Sequence, residues 1–460
     1  MIVMKFGGSS LEAAPAMERV AGIVSEALVR KPVVVVSAMG TTTQQLLTMG
    51  EEAAAGEPGK KERALERLRA LREMHEREFA ALLPASAQDE LRQILGCHFR
   101  EMADLLGQLS AAGEFGPESV DALSSFGERQ SSSLIALVFR HFGMDAAHVD
   151  ARCVVLTDGR HKAATPLYSE TYARARDKIL PLINQGKVPV LAGFIGSTVN
   201  GVTTTLGRGG SDFTAAVIGA GMAAEEIQIW TDVDGVMTCD PKLVPEARRV
   251  KTISFAEAAE LAYFGAKVLH PSTLLPAMEK NIPVVVLNSR RPEITGTRIV
   301  ADAVPCSSVI KAISCKRGIY IVNIRSTRML MAHGFLHRIF ELFSRAETAV
   351  DMLASSEVSV SLTIDDPARV PEICQALREF SEVSVEQDQA IVCIVGDNLR
   401  HTPGVAARAF GALQGINIRM ISQGASLLNL GFVVAARDAE KTVKLLHQEF
   451  FRNVDPAVFD

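Results

Sequence analysis

The sequence predicts an α/β protein in which a mostly parallel sheet covered by helices is followed by a duplicated ferredoxin-like (βαββαβ) tail. Three observations carry that reading. Short aliphatic runs alternate with longer helical patterns through the first half. Most of those runs end in glycine or small polar residues, and in open α/β sheets ligands bind outside the carboxyl ends of the strands. Near residue 300 the texture changes to turn and linker residues, and an internal repeat follows.

Taken in order, the buried-strand candidates are Ile2 to Phe6, Val33 to Ser37, Val188 to Phe194, Ile227 to Trp230 and Val284 to Leu287. Their tails include Gly7-Gly8-Ser9-Ser10, Ser37 through Thr43, Gly193 through Gly196, and Thr231-Asp232-Val233-Asp234-Gly235, and these should converge on one site. Between them, Lys60 to Leu109 is charge-rich with helical period around Leu65, Leu68 and Leu71, the pattern of a solvated helical face. In the tail, the first copy of the repeat has strands at Gly318 to Ile324, Val350 to Leu353 and Val358 to Ile364 around a helix at Gly334 to Phe343. The second has strands at Ile391 to Val395, Ile416 to Ile421 and Leu430 to Val434, with helices at Gly404 to Leu413 and Ala439 to Phe450.

Composition narrows the function classes. At 460 residues the chain is too long for one core. A net charge of -5 gives no basic footprint, so small metabolites are expected as partners rather than nucleic acid. The seven cysteines are scattered without a CxxC, which reads as reduced thiols, and the absence of a leader-like start or a membrane-length apolar run predicts a cytoplasmic protein away from membranes.

One stretch concentrates the chemistry: Thr203-Thr204-Thr205-Leu206-Gly207-Arg208-Gly209-Gly210-Ser211-Asp212. Its glycines allow close approach to the main chain, and Ser211-Asp212 are candidates to cap a helix over Phe213 to Ile218. Alone, it is equally compatible with an ordinary glycine-rich turn. Lys5 leaves the first strand directly before Gly7-Gly8, which puts an ammonium beside amides able to receive phosphate oxygens. No Walker loop, dinucleotide fingerprint or protein kinase motif set is present, so nucleotide chemistry would use another architecture.

Together, Lys5-Phe6-Gly7-Gly8-Ser9-Ser10, Phe126-Gly127-Glu128, Thr204 through Asp212, Trp230 through Gly235, and Phe264-Gly265-Ala266-Lys267-Val268-Leu269-His270-Pro271 resemble the aspartate kinases of the amino acid kinase superfamily. In the tail, Ser326-Thr327-Arg328-Met329-Leu330, Gly334-Phe335-Leu336, Val350-Asp351 and Ser355 through Ser359 resemble the first ACT domain of the monofunctional, lysine-inhibited class. The resemblance covers essentially the whole chain. It implies a three-layer αβα catalytic domain over 1–300, a first ACT domain over 312–388, and a second made of 301–311 with 389–460.

The implied reaction is transfer of the ATP γ-phosphate to the β-carboxylate of L-aspartate. A carboxylate is already ionised near neutral pH, so positioning and charge neutralisation do most of the work and no strong base is required. By resemblance, Lys5 stabilises the transferring phosphoryl group, Asp212 orients the lysines, and Gly7, Gly8, Ser9, Gly209 and Gly210 hold phosphate oxygens. Thr231, Asp232, Met237, Lys242, Lys267 and Val268 fall at nucleotide-contacting positions. Met237 stands where some relatives carry tyrosine and Lys242 where many carry arginine. Arg208 is expected to clamp the aspartate α-carboxylate and Glu128 to accept its α-ammonium, with Ser37, Thr43, Phe194 and Ser211 around the same substrate. Mg2+ is expected with ATP, held by phosphate oxygens and water rather than by a protein cage.

The lysine effector site implied for the first repeat comprises Met329, Ala332, Gly334, Phe335, Leu336, Val350, Asp351, Ser356 and Glu357, with Ala332 in place of a serine. The second repeat has Arg419 at the position of Asp351, so only the first copy offers paired acids for a cationic ligand. The class implies a homodimer through the ACT domains, with a tetramer also open. Kinases of glutamate or N-acetylglutamate, and an amino acid sensor without catalysis, stand as alternatives.

Overall fold

The structure, a computed structural model, describes residues 1–265, 271–302, 309–326 and 333–460. It divides into two compact units: Met1–Val236 with Thr252–Phe255 and Val268–Ala303, and Met237–Lys251 with Ala256–Lys267 and Val304–Asp460.

In the first unit the strands are β1 (Ile2–Phe6), β2 (Pro32–Val36), β3 (Ala146–Val149), β4 (Val188–Ala192), β5 (Ile195–Ser197), β6 (Thr203–Thr205), β7 (Glu226–Thr231), β8 (Thr252–Ser254), β9 (Val284–Asn288) and β10 (Thr297–Val300). An eight-stranded sheet runs β3-β4-β2-β1-β7-β9-β10-β8, while β5 and β6 form a separate antiparallel pair. All the ladders of the large sheet are parallel except β9 with β10. The aliphatic runs formed strands because each is covered on both faces: β1, β2, β4 and β9 are buried at every position.

The helices of this unit are α1 (Ala14–Glu26), α2 (Thr42–Ala54), α3 (Lys60–Ala80), α4 (Gln88–Ala112), α5 (Pro117–His141), α6 (Tyr168–Asn184) and α7 (Gly210–Met222), followed by α8 (Phe255–Tyr263), most of which belongs to the second unit, and α9 (Leu275–Glu279). The charge-rich stretch is α3 and α4, whose Leu68, Leu71, Phe79, Leu91, Leu95 and Phe99 turn inward to join the core under β1 and β2. Their charged residues occupy the other face. Phe194, expected to end a strand, instead follows β4 with φ of +69°. The strand stops at Ala192 because the chain turns there into the β5–β6 hairpin, with Ile195 N bonded back to Gly193 O at 2.8 Å.

The second unit holds β11 (Ile310–Arg325), α10 (Phe335–Arg345), β12 (Leu353–Ser355), β13 (Ser359–Ile364), α11 (Val370–Leu377), β14 (Glu382–Gly396), α12 (Val405–Gly411), β15 (Ile418–Gln423), β16 (Asn429–Ala435) and α13 (Ala439–Phe450). Both repeats share one six-stranded sheet, ordered β12-β13-β11-β14-β16-β15. The ferredoxin-like pattern holds, but β11 and β14 each run 16 and 15 residues and serve both copies. Gly318, where a strand was expected to begin, lies inside β11 with φ of +77°, beside a register shift between Arg317 and Ile319 that marks a bulge. The strand expected at Val350 to Leu353 is displaced to Leu353–Ser355. Asp351 N and Met352 N instead bond the backbone carbonyl and the hydroxyl of Thr363. Ile339, Phe343, Leu362, Ile373 and Leu377 close the core of the first repeat. Among the described residues no helix is long and apolar enough to cross a membrane.

Candidate functional site

Lys5 sits on the central strand, with ladder partners Val35 on β2 and Ile229 on β7. A lysine in such a strand must find an anion or a wet cavity, because an unpaired buried ammonium is costly. It finds both. Its Nζ lies 2.6 Å from Asp212 Oδ1, and the residue is 8% exposed. The tail Gly7-Gly8 then folds against the ends of both neighbouring strands: Gly7 N donates to Trp230 O at 3.1 Å, and Gly40 N donates to Gly8 O at 3.1 Å. A Cβ at Gly8 would stand 2.9 Å from Gly40 O and 3.0 Å from Ala38 O, so this approach requires glycine.

Asp212 arrives from the opposite direction. Helix α7 is capped at Gly209, with φ of +73°, and starts at Gly210. Ser211 and Asp212 therefore lie inside the first turn, rather than capping the helix as expected, and no side chain caps it. The consequence favours anion chemistry, since the free amides of this turn stay directed outward and the Asp212 carboxylate stands by the positive end of the helix. Thr214 ties the turn to Phe194: its hydroxyl donates to Gly210 O at 2.9 Å and accepts from Phe194 N at 3.0 Å.

Glu128 reaches the same place from α5. It is buried, and that burial pushes its carboxyl up from 4.5 to about 8, against amide hydrogen bonds at Ala38 and its own residue and the Thr43 hydroxyl, which donates at 3.3 Å. Its Oε2 has no hydrogen-bond partner. A buried carboxylic acid with an open oxygen is a receptor for a ligand's cation, since an ammonium placed there would favour the charged form that burial disfavours.

These groups line one cavity of about 440 Å³. Its walls are Lys5, Ser37, Thr43, Glu128, Phe194 and the run Gly207-Arg208-Gly209-Gly210-Ser211-Asp212, with Leu47, Val120, Ser124, Lys162 and Thr205 completing them. The last five went unassigned in the sequence reading. Val120, Ser124 and Glu128 follow a helical i, i+4, i+8 spacing, a signal that was available on α5.

The expected nucleotide-side residues are distributed differently. Thr231 and Asp232 end β7 beside Gly7, and the Thr231 hydroxyl donates to Asp232 Oδ1 at 3.3 Å. Behind them Ser289 donates to Thr231 O at 3.1 Å, Ser10 and Ser289 share a 2.7 Å hydroxyl contact, and Asp234 accepts from Asn288 and pairs with Arg291. Met237 and Lys242 belong to the second unit, where Met237 bridges to Arg249 and the Lys242 amide bonds Asp240 at 2.9 Å. Lys267 and Val268 lie outside the described residues, as do Met329 and Ala332.

Of the remaining effector candidates, Gly334 and Phe335 open α10, Leu336 is exposed on it, and Val350 packs on the core of the repeat. Ser356 bonds Ser359 across a turn, and Glu357 is exposed beside it. Asp351 already has a cationic partner: Lys316 Nζ lies 2.9 Å from its Oδ1 and 2.8 Å from Asp365 Oδ2. Burial raises the Asp351 pKa, with the Lys316 charge opposing that rise, and its Oδ2 is left unpartnered. Lys316 also sits 5.6 Å from the Tyr263 ring centre.

The sequence is matched by the amino acid kinase family over residues 1–288 and by an ACT domain over residues 392–450. It is 38% identical to the lysine-sensitive aspartokinase 3 of Escherichia coli, over 98% of this chain and 99% of that protein. Among solved structures it superposes on E. coli aspartokinase III in complex with aspartate and ADP (R-state), with a TM-score of 0.83 and 36% identity. The same enzyme with lysine and aspartate (T-state) gives 0.82 and 37%, and each match covers 98% of this chain and all of the other. With the family matched over residues 1–288, which include Lys5, Glu128 and Asp212, and with a relative aligned over nearly the full length of both chains, the chain belongs to the aspartokinases, ATP-dependent phosphotransferases of the amino acid kinase family with C-terminal ACT domains.

Proposed function

We propose that this protein transfers the γ-phosphoryl group of ATP to the β-carboxylate of L-aspartate, giving 4-phospho-L-aspartate, and that L-lysine inhibits it. The observation that carries the reading is the convergence in one cavity of the Lys5–Asp212 pair, Gly209 and Gly210, Arg208 and Glu128. Arg208 takes the α-carboxylate and Glu128 the α-ammonium, which leaves the β-carboxylate free to attack. Lys5, held by Asp212, faces the phosphoryl oxygens whose charge must be neutralised in the transition state. Gly7, Gly8, Ser9, Thr231 and Asp232 receive the nucleotide.

A Mg2+ entering with ATP would be held through phosphate oxygens and water, where it neutralises phosphate charge. Lysine binds at the first repeat, its cationic end against Asp351 and Glu357. The ACT repeats pair two chains in a dimer, and such a protein works in the cytoplasm at the head of lysine, threonine and methionine synthesis.

The full chain incubated with ATP and aspartate should yield an acyl phosphate trapped by hydroxylamine, with glutamate and N-acetylglutamate inert. Preference for either of those substrates, or no transfer at all, overturns the assignment. Millimolar lysine should suppress the rate, and Asp351→Ala should remove that response; a variant inhibited like the parent would refute the effector site.

A further inference from the structure

One wall of the cavity is built by residues that no assigned role explains. Asp121, on α5, is completely buried, and both its oxygens are spent on that wall. Oδ1 accepts from the Thr205 hydroxyl at 2.6 Å and from Lys162 N at 3.0 Å. Oδ2 accepts from Lys162 N at 3.0 Å and faces His161 Nδ1 at 2.8 Å. A buried carboxylate is retained at such cost where its partners need fixing.

Those partners are the two segments that frame the amino acid end. Thr205 begins the run to Asp212, and Ala164 N bonds Thr205 O at 2.9 Å. Lys162 O stands 3.0 Å from where a Cβ of Gly207 would be, so only glycine lets the two segments touch. Lys162 itself has φ of +69°, a left-handed conformation that a lysine keeps only where its surroundings impose it. The result is that Lys162 lines the cavity wall together with Arg208. Neither takes part in an ion pair among the described residues, whereas Lys5 is neutralised by Asp212.

A dicarboxylate with one ammonium brings a net negative charge into this space. The ammonium goes to Glu128, and the attacking carboxylate has to remain free, so the other carboxylate is the group left for the unpaired cations. We propose that Lys162 is a second cation of the amino acid subsite, meeting the substrate α-carboxylate alongside Arg208, and that Asp121 is the positioning residue that holds it there. The proposal rests on the aspartate kinase reading and adds to it a determinant of selectivity for a dicarboxylate.

The test is steady-state kinetics of Lys162→Met, an exposed substitution that leaves the core intact. The KM for aspartate should rise roughly five- to tenfold, the scale of one charge-assisted hydrogen bond at a partly open site, while the KM for ATP stays within about twofold. Lys162→Arg should restore the aspartate KM. Asp121→Asn should reproduce the rise although the lysine is still present, which a role confined to stability would not do. An unchanged aspartate KM in Lys162→Met, or an equal rise in both KM values, overturns the proposal. Failure of the unmodified chain to phosphorylate aspartate would instead overturn the kinase reading itself.

Discussion

Glu128 makes the affinity for aspartate a function of pH, and the size of the effect follows from its surroundings. Burial holds its carboxyl at about 8. An α-ammonium bound beside it favours the ionised form, so binding releases a proton whenever the pH lies below that value. At about pH 6 only about 1% of the empty site is ionised, and completing the ionisation costs about 2.7 kcal/mol. The KM for aspartate should therefore be about 100-fold higher at about pH 6 than its limit above about pH 8, with a slope near one on a logarithmic plot. Initial rates at saturating ATP, followed by ADP release so that the readout does not depend on trapping chemistry, give the profile. Glu128→Gln should have a high KM that no longer varies over this range. A parent enzyme whose aspartate KM is flat from about pH 6 to about pH 8 would refute the assignment of the ammonium to Glu128. The same shift has a sign for folding. The pKa is raised on folding, so the stability it confers is fully present below 4.5 and is lost as the pH climbs to about 8. Glu128→Gln should accordingly flatten the loss of stability between pH 4.5 and about 8 in denaturant titrations.

Two further outcomes are expected. Lys5→Met removes the cation and leaves Asp212 unpaired, so turnover should fall about 10²–10³-fold at saturating substrates, and single-turnover phosphoryl transfer should slow equally if the loss is in the chemical step. Phe343→Ala opens the core of the first repeat, where Phe343 is 2% exposed, and should cost about 3–5 kcal/mol in the unfolding of the second unit; a loss below about 1 kcal/mol would contradict that packing.

The sequence was most legible where burial is two-sided. Ile2–Phe6 and Val284–Asn288 are buried on both faces, and a short, mostly aliphatic run with no alternation has few other ways to fold. Part of the cavity was legible for a related reason: Ser37, Phe194 and the run Gly207 to Asp212 stand just past such strands or in a glycine-dense turn, and both are local signals. What escaped depended on contacts distant in sequence. Asp121 lies in an unremarkable helical stretch, and its role appears only when Thr205, 84 residues away, comes to 2.6 Å. The Lys316–Asp351 pair was hidden in the same way, since Asp351 read as an acid awaiting a ligand, while the strand that supplies its partner read as starting two residues later, at Gly318. The unity of β11 was obscured because Lys316-Arg317-Gly318 looks like a turn, whereas the chain passes through a bulge and continues. Ser211-Asp212 matched a capping signature, yet Gly209 adopts the positive φ that begins the helix, and local pattern alone does not decide between those registers.

The sheet of the tail has a consequence for how the protein can be cut. β11 pairs with β14 over nearly its whole length, and β13 and β16 lie outside that pair. A truncation ending at Asp388 would halve β14 and strip Ile310–Arg317 of β11 of the partners it has in Ala390–Gly396, leaving an adhesive border of the kind that recruits other chains. The two copies thus behave as one folding unit with a common spine, and the repeat visible in the sequence is a record of duplication rather than a seam along which the molecule comes apart.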